Sequence, residues 1–182
     1  MKKFGFASLA GLSALLFSLA VVAQQPTGKP TMTDLGKFDN WQAASFDENG
    51  KIGCFMISDA TKSEAIEGTY SNRGRVYLMI THRPAANSID TVTMFAGYPY
   101  KLSSEVTIQV DGGSKHILFT QDDKAWVKDA AGDKILVDNM RKGKNLTVLG
   151  ISSRNTKTRD TFSLTGFSKA YAAINTACNV NR

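Results

Sequence analysis

The chain has 182 residues, a formal net charge of +6 and two cysteines. This length is that of one domain, and no internal repeat, low-complexity tract or linker divides the sequence, which argues against a multidomain protein. A mildly basic balance favours contact with anionic surfaces, but the charge alone does not identify a partner.

The N-terminal segment has the three parts of a secretory signal peptide. Lys2 and Lys3 give a positive start, residues 4–20 are apolar or small, and Ala23 ends a short cleavage sequence. A membrane anchor is the alternative, since it needs about 20 apolar residues, but the serines and glycines within the run favour cleavage. We therefore predict a signal peptide over 1–23. The mature chain carries a charge of +4 and has no further stretch able to span a membrane.

The segment 24–37 is polar and contains two prolines, so we expect a flexible N-terminal arm there. Residues 38–182 then form a single domain, in which short runs rich in β-branched and aromatic residues alternate with turn sequences. The clearest turns are Glu48–Gly50 and Asp111–Gly113. Many short strands separated by turns predict an antiparallel β-sandwich or barrel. The expected strands are 41–46, 52–58, 75–81, 91–96, 105–110, 116–120, 124–128, 145–151 and 160–164.

Two segments depart from the strand pattern and predict helices. Residues 133–142 have apolar positions four apart and are followed by Gly143, a typical helix stop. The last segment, 166–178, has a stripe at helical spacing formed by Phe167, Ala170, Tyr171, Ile174 and Cys178. Asn175 falls on the opposite face of this C-terminal helix.

The two cysteines, Cys54 and Cys178, predict one disulfide. Both lie in the mature part of an exported chain, where an oxidising compartment favours pairing. A zinc site is the weaker interpretation, because no CxxC motif is present and the histidines are distant in sequence from both cysteines. The bridge would attach the C-terminal helix to an early strand.

The sequence contains no recognisable catalytic motif. No GxSxG, HExxH, P-loop or dinucleotide-binding glycine pattern occurs, and we predict no catalytic residue, metal site or cofactor. Ser152-Ser153 is better interpreted as a polar loop than as a nucleophile, and Asp122-Asp123 as a solvated turn.

Two groups of residues are candidates for binding. A run without acidic residues between its members is a candidate anion-binding surface, or else a solubilising rim: Arg141, Lys142, Lys144, Arg154, Lys157 and Arg159. Because the intervening strand 145–151 spans about 20 Å, these residues are expected to form two patches. The candidates for contact with a partner are His82, Arg83, Tyr98 and Tyr100, although such aromatic residues also pack the ends of sandwiches. Nucleic acid is not expected, because aromatic residues do not interleave with the basic run.

The chain resembles the invasion-associated locus B family of exported alphaproteobacterial proteins, in a short form with two cysteines. Trp41, the Cys54–Ser58 run and the Arg73–Leu78 run carry the first part of the resemblance. The later part rests on Thr81–Pro84, Gly97–Tyr100, Ala125-Trp126, Met140 with Gly143, Ser152–Arg154, Asp160–Phe167 and Cys178. Longer members have a second cysteine pair in mid-chain, and the stretch 119–126 has none here.

The resemblance implies an immunoglobulin-like β-sandwich without catalytic residues. It also implies a periplasmic or secreted protein, sometimes associated with the outer membrane, that acts by binding and has a role in host-cell invasion or surface adaptation. The partner would be an envelope or host-surface component. The alternatives are a periplasmic accessory factor that binds anionic envelope components through the basic patches and, with less support, an uncharacterised hydrolase.

Overall fold

The computed structural model describes residues 31–70 and 72–182, which form eleven strands and two α-helices. The helices are α1 (Ala130–Lys142) and α2 (Phe167–Ala177), and one 3₁₀ turn spans Pro84–Ala86. The strands are β1 (Thr31–Phe38), β2 (Trp41–Glu48), β3 (Lys51–Asp59), β4 (Lys62–Glu67), β5 (Tyr77–Arg83), β6 (Ser88–Phe95), β7 (Glu105–Val110), β8 (Lys115–Gln121), β9 (Lys124–Val127), β10 (Asn145–Ile151) and β11 (Lys157–Ser163).

The strands form one antiparallel sheet in the order β1-β2-β3-β5-β6-β9-β8-β7-β10-β11-β4. The chain passes from β3 to β4 through Ala60 and Thr61 and changes neighbours there. The amide of Ala60 donates to the carbonyl of Val76 beside β5, whereas the amide of Thr61 donates to the carbonyl of Thr161 in β11. Since β4 continues the path of β3, this bent segment brings β11, near the other end of the strand order, back beside β3. The sheet therefore folds over on itself and encloses a core.

The enclosed face of the sheet carries the apolar residues at alternating strand positions, and the two helices close it. Trp41 is fully buried, and its ring meets that of Phe167 on α2 edge-on at 4.9 Å. Leu136, Val137 and Met140 of α1 are likewise fully buried. Helix α1 packs mainly against β6, and α2 against β1, β2 and β3.

Helix α2 is held to the sheet at both ends. At its start, Gly166 has a φ of +90°, and a side chain there would collide with the carbonyl of Phe38 in β1. At its end, Cys178 forms the predicted disulfide with Cys54 of β3, with Cα atoms 6.0 Å apart. The disulfide prediction is confirmed.

The prediction of a mainly β, antiparallel fold with a short helix and a C-terminal helix is also confirmed. Two strands were missed. Residues 31–37 of the expected flexible arm belong to β1, so that expectation is corrected for this part of the segment. Strand β4 lies between the expected strands 52–58 and 75–81, where the sequence predicts none. The predicted signal peptide and residues 24–30 lie outside the described residues.

Candidate functional site

Three loops at one end of the sheet enclose a pocket of about 190 Å³. They are the segment after β4, the turn after β6 and the turn between β10 and β11. The residues that matter for its chemistry are Tyr70, Arg73, Tyr98, Ser152, Arg154 and Thr158. We call this site the loop-end pocket. It brings together Tyr98 and Arg154, which the sequence indicated only as members of separate candidate groups.

Close backbone packing places the first two loops beside each other. The amide of Gly74 donates to the carbonyl of Gly97 at 2.8 Å. A Cβ on Gly97 would lie 2.4 Å from the carbonyl oxygen of Gly74, and its φ is +70°. A side chain at position 97 is therefore excluded by both space and conformation. This contact holds the neighbouring Arg73 against Tyr98.

The third loop is attached to the other two by hydrogen bonds. The amide of Ser153 donates to the carbonyl of Pro99 at 2.8 Å. The hydroxyl of Thr156 donates to the carbonyl of Thr69 at 2.7 Å. The turn itself is organised around the Ser152 Oγ, which accepts from the amides of Arg154 and Thr156. The pocket is therefore assembled by connections that are far apart in sequence.

A buried ion pair forms the floor of the pocket. Both terminal nitrogens of Arg73 donate to the carboxylate of Asp160 at 2.7 Å, and its Nε donates to the carbonyl of Ala96 at 2.8 Å. The two side chains are 5% and 2% exposed. Burial alone would lower the pKa of Arg73, but the paired carboxylate outweighs it and the pKa is raised. Arg73 is therefore a permanent cation.

Tyrosine rings stand around this arginine. The Arg73 guanidinium carbon lies 4.7 Å from the ring centre of Tyr98 and 5.4 Å from that of Tyr70. The Tyr98 hydroxyl lies 2.6 Å from the Thr158 Oγ1, and burial raises the pKa of Tyr98. The ring of Tyr100 meets that of Tyr98 edge-on at 5.3 Å, but Tyr100 is itself buried. Tyr98 thus lines the pocket, whereas Tyr100 supports it from below.

The pocket is electropositive. Two arginines line it, and no aspartate or glutamate does. The nearest carboxylate, that of Asp160, has both oxygens bonded to Arg73. Arg154 is exposed at the mouth and forms no ion pair with any residue that the structure describes. An anionic group is the ligand chemistry that such a lining favours.

A second polar cluster lies beneath α2, and we call it the interior cluster. His82 accepts from the amide of Asp90 through Nδ1 at 3.1 Å, and its Nε2 donates to the Oδ1 of Asn175 at 2.9 Å. The hydroxyl of Tyr171 donates to the Oδ1 of Asp90 at 2.6 Å. Arg182 lies 3.1 Å from the other oxygen of Asp90. These bonds join the C-terminal segment to β5 and β6.

The expected partner-binding role of His82 is corrected by its position. His82 is fully buried, and burial lowers its pKa despite the nearby Asp90. The next residue, Arg83, points outward and lies over the ring of Phe46 at 5.3 Å. Asn175, which was assigned to the exposed face of α2, is 9% exposed and bonds to His82.

The six basic candidates are all exposed and lie in two places, as the length of β10 predicted. Arg141, Lys142 and Lys144 lie at the start of β10, and Arg154 lies beyond its end. Along β11, Lys157 pairs with Glu67, and Arg159 is in register with Glu64 of β4. Nearby carboxylates therefore reduce the effective charge of these last two residues.

A row of five side chains crosses the outer face of the sheet, and we call it the outer aromatic row after its two stacked rings. Ile57, Met79, Thr93, Trp126 and Phe119 are in register across β3, β5, β6, β9 and β8. Phe119 is 49% exposed and stacks on Trp126. The row becomes visible only from the register of the strands.

Residues 31–70 and 72–182 contain no group of three side chains arranged to hold a metal ion. Within the same ranges, no helix has the length and apolar character needed to cross a membrane.

Comparison with known proteins gives two matches. The sequence model of the family described as "Invasion associated locus B (IalB) protein" matches residues 41–175. A solved structure, "Crystal structure of invasion associated protein b from bartonella henselae", superposes with a TM-score of 0.55 at 19% identity. The alignment covers 79% of this chain and 96% of the other. At this identity the likeness concerns the fold, which is β-sandwich-like. No curated protein matches the sequence.

Proposed function

Because the chain belongs to the invasion-associated locus B family, we propose that it is an exported protein that acts by binding rather than by catalysis. The loop-end pocket is the observation that supports this most directly. It presents guanidinium, phenol and hydroxyl groups, and its nearest carboxylate is occupied by Arg73. Such groups bind and orient a ligand, but none is an available general base at neutral pH.

Two observations support export. The sequence predicts a signal peptide over 1–23, and Cys54 and Cys178 form a disulfide, which is typical of oxidising compartments. We propose that the mature protein is periplasmic or secreted and contacts the outer membrane. Its partner would be an envelope or host-surface component. The family's association with invasion suggests a role in host-cell entry or in surface adaptation.

A second candidate function is supported by the basic residues. Arg141, Lys142, Lys144 and Arg154 are exposed near the two ends of β10, where they can reach the phosphates of an anionic envelope surface. The protein would then be a periplasmic accessory factor that handles envelope lipids or lipopolysaccharide.

Two assays test these functions with the mature protein, residues 24–182. Panels of ester, glycoside and peptide substrates should show no turnover. Turnover that is lost on mutation of one Ser or Asp would overturn the binding proposal in favour of a hydrolase.

Sedimentation with lipopolysaccharide or anionic vesicles tests the second candidate. Binding should weaken with salt and in the Lys144→Ala/Arg154→Ala variant, which removes one charge near each end of β10. The matched control is Lys37→Ala/Lys51→Ala, which removes the same charge from exposed positions elsewhere. If binding depends neither on salt nor on the residues changed in the first variant, the basic patches are not the binding surface.

A further inference from the structure

The size of the loop-end pocket limits what it holds. Pockets for drug-sized ligands have volumes of about 300–1,000 Å³. The loop-end pocket, at about 190 Å³, is smaller and has room for one ring with its substituents. A peptide segment or a lipid chain would extend beyond its walls.

The walls match a ring that has both an apolar face and polar edges. Tyr70 and Tyr98 present aromatic surface, and Tyr70 is 36% exposed. Ser152 adds a hydroxyl group to the lining, whereas the hydroxyls of Thr156 and Thr158 already bond to the carbonyl of Thr69 and to the Tyr98 hydroxyl. The Ser152 Oγ accepts two amide hydrogens, and no described group accepts the hydrogen that it can donate. An aromatic face together with a free hydroxyl donor suits a ring that has an apolar face and polar edges, and a sugar ring has both.

The charge of the pocket identifies the substituent. Arg73 is neutralised by Asp160, whereas Arg154 is exposed at the mouth without an ion-pair partner among the described residues. The hydrogen bonds of Arg73 to Asp160 and Ala96 use three of its five N–H groups, and its side chain is only 5% exposed. A ligand that carries a carboxylate or a phosphate would therefore pair with the free guanidinium of Arg154.

We propose that the loop-end pocket binds a sugar ring that carries an anionic group, either a carboxylate or a phosphate. This inference rests on the proposed function, namely that the protein acts by binding. Arg154 pairs with the anionic group at the mouth, Tyr70 and Tyr98 cover the ring, and the Ser152 hydroxyl bonds to a ring substituent.

Isothermal titration calorimetry of the mature protein tests this assignment with five probes: glucuronic acid, glucose 6-phosphate, glucose, acetate and inorganic phosphate. At least one anionic sugar should bind at least tenfold more tightly than glucose and than the free anion with the same charged group. The better of the two sugars identifies the anionic group. An anionic sugar that binds no better than glucose, or no better than the free anion, overturns the proposal.

Two variants and one control locate the binding. Arg154→Ala should weaken the binding of the anionic sugar about tenfold, because it removes a charged hydrogen bond. Arg159→Ala removes an exposed arginine outside the pocket and should change the affinity less than twofold. Tyr70→Leu should weaken the binding of glucuronic acid more than the binding of acetate. Equal effects of the two arginine variants would overturn the placement of the ligand.

A parallel capture experiment separates this inference from the proposed function. The wild-type protein is immobilised and exposed to solubilised native envelope. If a component is retained while none of the five probes binds, the sugar assignment is overturned and the binding function stands. If nothing is retained and nothing binds, both are overturned.

Discussion

The interior cluster and the loop-end pocket are built from the same groups but differ in access. Each has an aspartate that is 1% exposed, an arginine paired with it and a tyrosine beside it: Asp90, Arg182 and Tyr171 in one, and Asp160, Arg73 and Tyr98 in the other. Helix α2 covers the first, whereas loops leave the second open. We expect the groups under the helix to act structurally, and only the loop-end pocket, where Tyr70 and Arg154 are exposed above the ion pair, to be open to a ligand.

The largest expected effect concerns the bridge that keeps α2 over the interior cluster. Replacing both cysteines, Cys54→Ala/Cys178→Ala, should lower the free energy of unfolding by about 4–5 kcal/mol, since the bridge closes a long loop. Urea denaturation of the oxidised wild type and the variant gives the difference. A loss below about 1 kcal/mol would mean that α2 is held by packing alone.

The second effect concerns the floor of the loop-end pocket. Asp160→Asn should destabilise the protein by about 3–5 kcal/mol, because it leaves the buried charge of Arg73 without its partner. Asp59→Asn is the matched control. It breaks the Arg75–Asp59 pair, whose side chains are more than half exposed, and should cost about 0–1 kcal/mol. Equal losses in the two variants would contradict the buried character of the pocket floor.

A third prediction uses pH to probe the packing of α1 beside the interior cluster. Burial raises the pKa of Asp133 from 3.8 to about 6, although its carboxylate accepts from the amide of Val92. The folded state therefore holds the proton more tightly than the unfolded state, and the stability that protonation contributes is lost as pH rises from about 4 to 6. Asp133→Asn should gain stability relative to wild type over that interval, by up to about 3 kcal/mol.

Measuring Asp133→Asn against wild type at each pH removes the contribution of His82. That residue acts in the opposite sense, because its lowered pKa reduces stability as pH falls through about 6.5. The partly exposed Asp138 is a control of opposite sign. Lys134 lowers its pKa, so the stability that its charged form contributes is lost as pH falls. A difference between Asp133→Asn and wild type that does not vary with pH would show that Asp133 is solvated.

The smallest expected effect on stability is the difference between removing the buried hydroxyl of Tyr171 and removing the exposed hydroxyl of Tyr70. Tyr171→Phe removes the hydrogen bond to buried Asp90 and should cost about 1–2 kcal/mol. Tyr70→Phe removes an exposed bond to the carbonyl of Ser63 and should change stability by less than about 0.5 kcal/mol. Chemical denaturation of both variants measures this contrast. A larger loss for Tyr70→Phe would reverse the comparison.

Local signals in the sequence were sufficient for much of the fold. The turns at Asn49-Gly50 and Asp111–Gly113 separate the strands that they were predicted to separate, and the stripe that ends at Cys178 marked both α2 and its disulfide. Strands β1 and β4 were missed because they are the two edges of the sheet and bury few side chains. Edge strands depend on backbone pairing, which leaves little trace in hydrophobic alternation.

The sites were harder to predict, because their members are distant in sequence. Arg73 and Asp160 are 87 residues apart, and neither belonged to a candidate group. The sequence places His82 just after the expected strand 75–81, whereas β5 continues to Arg83. Successive residues of a strand point to opposite faces, so His82 enters the core while Arg83 faces solvent.

The measurement that tests the comparison most directly is a ¹⁵N NMR titration of the mature protein with glucuronic acid and, separately, with glucose 6-phosphate. If the loop-end pocket is the ligand site and the interior cluster is structural, the amide signals of Gly97, Ser153 and Arg154 will shift. Those of Asp90 and Asn175 will remain in place. Shifts confined to the interior cluster or to the outer aromatic row, or no shifts at any concentration, would contradict this account.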